Sequence, residues 1–132
     1  MKGWRALRLA AILMAILGLA RAAGGILLLT RGPAADPRIH ASVSTVAAVG
    51  SVLVTLGSIL LVAAVGVFLR RRLFWRIGFA CTIAFVIDGA INGMLLYGKP
   101  GDQGTVVNVV VAALILFCLR AGANALEGGE SA

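Results

Sequence analysis

The chain of 132 residues is strongly apolar and basic. Hydrophobic residues make up 61% of it and charged residues 13%, and 12 Lys and Arg against 5 Asp and Glu give a net charge of +7. An average soluble domain is about 45–50% apolar and about 25% charged, so this composition excludes an ordinary soluble domain. It also lacks the compositional signatures of a disordered chain, a disulfide scaffold and a coiled coil. It predicts a single integral membrane domain over residues 1–132.

Four apolar stretches are candidates for transmembrane helices, which need about 20 mostly apolar residues each. They cover about residues 9–30, 42–69, 73–97 and 105–119, and the last is short enough that we expect it to stand nearly upright. Polar breaks separate them. Since backbone groups in lipid must be satisfied within a helix, the sequence predicts an all-α, antiparallel four-helix transmembrane bundle.

Basic residues are divided unequally between the two ends of this bundle. Eight lie at the N-terminus, around the second connection or after the fourth stretch: Lys2, Arg5, Arg8, Arg70, Arg71, Arg72, Arg76 and Arg120. The first and third connections carry Arg31, Arg38 and Lys99. The positive-inside rule therefore predicts that both termini are cytoplasmic. Compact loops and an Ala-, Arg- and Gly-rich composition favour a bacterial plasma (inner) membrane.

The start of the chain allows a second interpretation, a secretory signal. Basic residues 2–8, an apolar run over 9–19 and the sequence Ala20-Arg21-Ala22 resemble a signal with a small-x-small cleavage site. The apolar run resumes at Ile26, which favours an uncleaved first helix.

Four arginines beside the second connection are candidates to bind anionic lipid headgroups. They are Arg70, Arg71, Arg72 and Arg76. A basic residue near an anionic membrane surface contributes about 1 kcal/mol, and the alternative is that these residues only orient and anchor the chain. No soluble basic domain is available to bind nucleic acid, so the predicted partner is the lipid bilayer.

Two charged residues lie inside the predicted spans. Arg21 precedes Thr30 by nine positions and Asp88 precedes Tyr97 by nine, so both leave the backbone about 13–14 Å below the outer boundary. An isolated charge at this depth costs about 2.5–3.5 kcal/mol. The sequence therefore predicts an ion pair between Arg21 and Asp88.

Three polar residues at similar depth extend this pair into a cluster. Asn92 lies one turn after Asp88, Asn108 lies near the outer start of the fourth stretch, and Ser51 is level with the two charges. Together they predict a polar cavity that opens toward the outer face. Two interpretations remain: hydrogen bonds that fix the helix register, worth about 0.6 kcal/mol each, or a site for a ligand, proton or substrate.

Small residues recur at helical spacing in three of the stretches. They are Gly50, Gly57 and Ala64, spaced seven apart in the second stretch, Gly24 and Gly25 in the first, and Gly89 and Gly93 in the third. Such positions let helix backbones approach closely. Packing inside the bundle is favoured over an oligomer interface.

The residue inventory offers little catalytic or cofactor chemistry. His40 is the single histidine and cannot supply both ligands of a membrane haem, and Cys81 and Cys118 with one distant histidine do not form a zinc site. A proline between Asp36 and His40 prevents those two and Ser44 from stacking as a triad on one helix face. The sequence predicts no cofactor, no metal site and no enzymatic activity.

These observations favour a non-enzymatic membrane component, either an accessory subunit of a larger membrane assembly or a homo-oligomer. The alternative is a small transporter or channel. In that case Asp88 would carry a proton or cation, Arg21 would be its charge partner or an anion contact, and Asn92 and Asn108 would bind the substrate. A membrane enzyme acting on lipid or quinone is disfavoured by the single loop histidine.

Overall fold

The computed structural model describes residues 3–98 and 103–126. Its α-helices are α1 (Gly3–Arg31), α2 (Val43–Phe68), α3 (Arg72–Tyr97) and α4 (Gln103–Ala121), with short 3-10 helices at Gly32–Ala35 and Ala123–Ala125. The all-α four-helix prediction is confirmed. The bounds differ from those predicted by a few residues, most at α1, which begins at Gly3. Lys2, Lys99 and the tail after Leu126 lie outside the described residues.

Three segments are long and apolar enough to cross a membrane: Gly3–Ala35, Val43–Phe68 and Arg72–Tyr97. The apolar part described for α4, Val106–Ala121, is shorter. The outer surface of the bundle carries large apolar side chains such as Ile16, which is 60% exposed. A surface of this kind suits lipid rather than water, and the chain is therefore a small helical multi-pass membrane protein.

The four helices pack in a ring in chain order. Each contacts the helix before and after it, and α4 closes the ring against α1. As a result α1 and α3 lie diagonally opposite each other, as do α2 and α4. This order follows from the short connections, which make consecutive helices antiparallel neighbours.

Two pairs of glycines bring α1 and α2 into close contact. A Cβ atom on Gly57 would lie 2.6 Å from the carbonyl oxygen of Gly18, and one on Gly25 would lie 2.6 Å from that of Gly50. We call Gly18, Gly25, Gly50 and Gly57 the glycine seam. A methyl group at any of these positions would overlap the facing backbone, so the glycines are what allow the two helices to approach. Gly50 and Gly57 therefore serve packing inside the bundle.

The exposed arginines of the N-terminus, the α2–α3 turn and the C-terminal part of α4 lie at one end of the bundle, the basic end. Here the Arg8 guanidinium stacks 4.6 Å from the Trp4 ring and 5.6 Å from the Phe68 ring, which links α1 to α2. The Trp75 indole donates to the Leu119 carbonyl oxygen at 2.8 Å, which links α3 to α4. The turn itself places Arg70 at φ 60°, a left-handed conformation.

The main hydrophobic core fills the half of the bundle next to the basic end. Its fully buried side chains include Leu7 and Met14 of α1, Leu60 of α2 and Ile115 of α4. Phe85 of α3, at 6% exposure, also belongs to this core. A second, smaller cluster of buried apolar side chains, Ile39, Val46, Val49 and Leu96, lies in the other half of the bundle. That half contains the cavity described below.

Candidate functional site

A cavity of about 340 Å³ lies between the helices in the half of the bundle away from the basic end. Leu17 and Phe85, which belong to the main core, close its inner end. The polar side chains that line it within the span are Arg21, Asp88, Asn92 and Asn108, and Asp36 and Tyr97 line its mouth. Four of the five residues of the predicted polar cluster therefore share one cavity.

Arg21 on α1 is paired with Asn108 on α4. The guanidinium Nη2 donates a hydrogen bond to the side-chain oxygen Oδ1 of Asn108, and both residues are partly buried. This bond joins the first and last helices of the ring. It places the positive charge in the cavity wall against a neutral acceptor.

Asp88 is paired with Asn92 on its own helix. The amide Nδ2 of Asn92 donates to the carboxylate Oδ2 of Asp88 at 2.9 Å. The spacing of four residues puts both side chains on one face of α3, as the sequence indicates. The second carboxylate oxygen, Oδ1, accepts no hydrogen bond from the described residues.

The structure does not contain the predicted ion pair between Arg21 and Asp88. The two side chains line the same cavity, but no nitrogen of Arg21 lies within 4.0 Å of a carboxylate oxygen of Asp88. The physical reason is the order of the helices: α1 and α3 are diagonal, while α4 is adjacent to α1 and brings Asn108 within reach. Each charge is instead held by an asparagine.

Ser51 does not belong to the cavity. Its side chain is exposed on the outer surface of α2, where its hydroxyl donates to the Ala47 carbonyl oxygen at 2.9 Å. The neighbouring residue Gly50 faces α1, and one step along a helix turns the side chain by about 100°. Equal depth in the membrane was therefore not sufficient to bring Ser51 to the other polar residues.

Three of the glycines predicted to serve packing, Gly24, Gly89 and Gly93, line the cavity instead. A Cβ atom on Gly24 or Gly89 would meet no atom within 4 Å, and both residues line the cavity. They contrast with the glycine seam, where a Cβ atom would overlap backbone. The absence of side chains at these two positions enlarges the cavity.

The connection between α1 and α2 forms the rim of the cavity, a feature that the sequence did not predict. Asp36 is bonded to the Arg38 guanidinium at 2.9 Å and accepts a longer hydrogen bond from the Tyr97 hydroxyl at 3.5 Å. The Arg38 guanidinium lies 5.2 Å from the centre of the Tyr97 ring, and the His40 backbone N–H donates to the Leu96 carbonyl oxygen at 3.1 Å. These contacts attach the connection to the end of α3.

The charge of Asp36 is neutralised at the rim by its neighbour. Hydrogen bonds from the side chain and backbone of Arg38 are the main reason why the pKa of Asp36 lies below its ordinary value. The carboxylate is therefore ionised and paired at neutral pH. The rim adds no net charge to the cavity mouth.

The four arginines considered for lipid headgroups, Arg70, Arg71, Arg72 and Arg76, are exposed at the basic end. They lie at the opposite end of the bundle from the cavity. The cavity and this basic surface are therefore separate features of the molecule.

No protein-family model, no curated protein and no solved structure matches this chain. One guanidinium, one carboxylate and two amides can bind a small polar solute through charge and hydrogen bonds, and the apolar wall can accept its hydrocarbon part.

Proposed function

We propose that the protein is a non-enzymatic membrane protein that binds a small polar solute in this cavity, as the binding step of a small transporter. The observation that carries the proposal is that two opposite charges and two asparagines from three helices line one cavity within the membrane-spanning region. Ionisable residues at such depth are costly, at about 2.5–3.5 kcal/mol each, and are associated with substrate or ion pathways.

The open space around the charges favours a binding site over a purely structural polar contact. Residues that only hold helices together are expected to be closely packed, whereas Gly24 and Gly89 leave volume beside Arg21 and Asp88. The described lining residues carry no thiol, imidazole or aliphatic hydroxyl.

The packed core next to the basic end favours a carrier over an open channel. Leu17 and Phe85 close the inner end of the cavity, and apolar side chains fill the bundle beyond them. If the basic end is cytoplasmic, as the positive-inside rule predicts, then both termini are cytoplasmic and the cavity faces the outer side of a bacterial inner membrane.

An accessory subunit is the second candidate, and one surface favours it. The hydroxyl-bearing residues Ser44, Ser51, Thr55 and Ser58 are exposed along α2. Small and hydroxyl-bearing residues are enriched where transmembrane helices meet, so this stripe suits contact with a helix of another membrane protein. The glycine seam supports no such role, because α1 already covers it.

Native mass spectrometry of the protein extracted with its surrounding lipids tests the proposal. We expect a defined small-molecule adduct on the wild-type protein and its loss in Gly89→Leu, which fills the cavity. Ile87→Leu is the matched control, because Ile87 is 57% exposed on the outer surface of the same helix. An adduct that survives Gly89→Leu, or a stoichiometric partner chain without any adduct, would contradict the proposal, and the partner chain would establish the accessory subunit.

A further inference from the structure

We infer that the ligand of the cavity is a small zwitterion, whose anionic group meets Arg21 and whose cationic group meets Asp88. The inference rests on the proposed function and specifies its ligand. It is carried by three features of the cavity wall: two opposite charges, the lack of an ion pair between them, and the binding capacity that each charge retains.

The charge balance of the cavity favours a ligand of zero net charge. Within the span the described wall carries one positive group, Arg21, and one negative group, Asp88, and at the rim Asp36 is neutralised by Arg38. Arg21 and Asp88 balance each other, so a singly charged ligand would leave the cavity with a net charge. A zwitterion supplies a counter-charge to both, which matters because charge interactions are strong where water is scarce.

The two charges form no ion pair within 4.0 Å, and each is hydrogen-bonded to an asparagine instead. Asn108 holds the Arg21 guanidinium toward α4, and Asn92 holds the Asp88 carboxylate on its own face of α3. The helices that carry the charges are diagonal in the ring. The ligand therefore meets both charges without first breaking an ion pair between them, an arrangement that lowers the cost of binding.

Both charged groups keep capacity for a ligand. A guanidinium has five N–H donors in a planar fork that matches a carboxylate or a phosphate, and the Arg21 side chain uses one nitrogen for Asn108. Asp88 uses Oδ2 for Asn92 and has Oδ1 available to accept from an ammonium group. Neither charge is saturated by the protein.

The volume and the apolar wall limit the size of the ligand. A cavity of about 340 Å³ is at the lower end of ligand sites, which span about 300–1,000 Å³. The lining residues Leu27, Leu28 and Leu53 offer contact to a short hydrocarbon group. A free amino-acid-like solute and the headgroup of a zwitterionic phospholipid share this chemistry.

Binding to the purified protein in nanodiscs of anionic lipid separates these cases. The first probe series has one carbon skeleton: leucine carries both charges, leucinamide only the positive charge and 4-methylpentanoate only the negative charge. The second series compares glycerophosphoethanolamine, a zwitterionic headgroup, with the anionic glycerophosphoglycerol. We expect the zwitterion of at least one series to bind about tenfold or more tightly than its singly charged analogues. The series that shows the preference identifies the source of the ligand.

Variants of the two charges should change the preference in opposite directions. In Arg21→Gln, the positive analogue should bind as tightly as the zwitterion, and in Asp88→Asn the negative analogue should do so. If either variant fails to fold, the wild-type series decides alone.

Equal binding of singly charged probes and zwitterions to the wild-type protein would overturn the inference while leaving the proposed function intact. If none of the probes binds, the inference also fails, and the adduct in native mass spectrometry then decides the proposed function separately.

Discussion

Arg21 is held within the membrane-spanning region by an amide oxygen and not by a carboxylate. The Asn108 oxygen carries only a partial negative charge, so the hydrogen bond orients the guanidinium without neutralising it. The same holds for Asp88, which accepts from the uncharged Asn92. Both charges therefore remain able to act on a ligand, which a direct ion pair between them would prevent.

A double-mutant cycle tests the bond between α1 and α4. Arg21→Ala and Asn108→Ala should be coupled in the free energy of unfolding by about 0.6–1.7 kcal/mol, the range of interhelical hydrogen bonds in membranes. Reversible unfolding in detergent measures it. Ser51→Ala is the control, since Ser51 faces away from the cavity and should be additive with Arg21→Ala within about 0.5 kcal/mol. If the effects of Arg21→Ala and Asn108→Ala on the free energy of unfolding add as closely as those of Arg21→Ala and Ser51→Ala, Arg21 and Asn108 do not interact.

The glycines of α1 have two kinds of surroundings, which allow one face of the helix to pack against α2 and another face to border the cavity. Gly18 and Gly25 face α2 across the seam, while Gly24, one residue away from Gly25, borders the cavity. A rotation of about 100° per residue separates these two faces of the helix. The close α1–α2 contact therefore positions Arg21 for the cavity.

Alanine substitutions distinguish the two glycine sets. Gly57→Ala should destabilise the protein by about 1–3 kcal/mol, because the added methyl group would overlap the Gly18 carbonyl oxygen. Gly24→Ala should leave the free energy of unfolding nearly unchanged, because its methyl group meets no atom within 4 Å. Chemical denaturation in detergent measures both. Equal stabilities of the two variants would refute the assignment of the seam.

The attachment of the first connection to α3 should depend on pH through Asp36. Because the folded pKa of Asp36 lies below its ordinary value of 3.8, the ionised carboxylate stabilises the attachment above that pH. The stabilisation is lost as the pH falls through the folded pKa. The His40 amide, bonded to Leu96, reports the attachment, and its hydrogen exchange, corrected for intrinsic rates, should accelerate below about pH 3.8.

Asp36→Asn provides the control for this pH dependence. Asparagine does not ionise in this range, so the corrected exchange of the His40 amide should no longer change with pH through Asp36. An unchanged pH profile in Asp36→Asn would show that another carboxyl group controls the attachment.

Hydropathy predicted the four helices of the molecule, and the short connections predicted their antiparallel order. Local spacing also predicted that Asn92 shares a face with Asp88. Counting residues predicts depth along a helix but not the direction in which a side chain points, which depends on how neighbouring helices pack. For that reason the sequence placed Ser51 in the cluster, paired Arg21 with Asp88 and did not predict the rim.

The result is a bundle with two different halves. The half at the basic end is filled by apolar side chains, and the other half keeps a polar cavity. The proposed function requires that solutes in water reach this cavity. Cysteine accessibility measures that property without knowledge of the ligand.

The most direct test is the reaction of Gly89→Cys with small charged methanethiosulfonate reagents in nanodiscs. We expect Gly89→Cys to react, since position 89 borders the cavity, and Ile87→Cys on the outer surface of α3 to be unreactive. Cys81 and Cys118 are buried, so the unchanged protein gives a low background. If Gly89→Cys reacts no faster than Ile87→Cys, solutes in water do not reach the cavity and the proposed binding site is wrong.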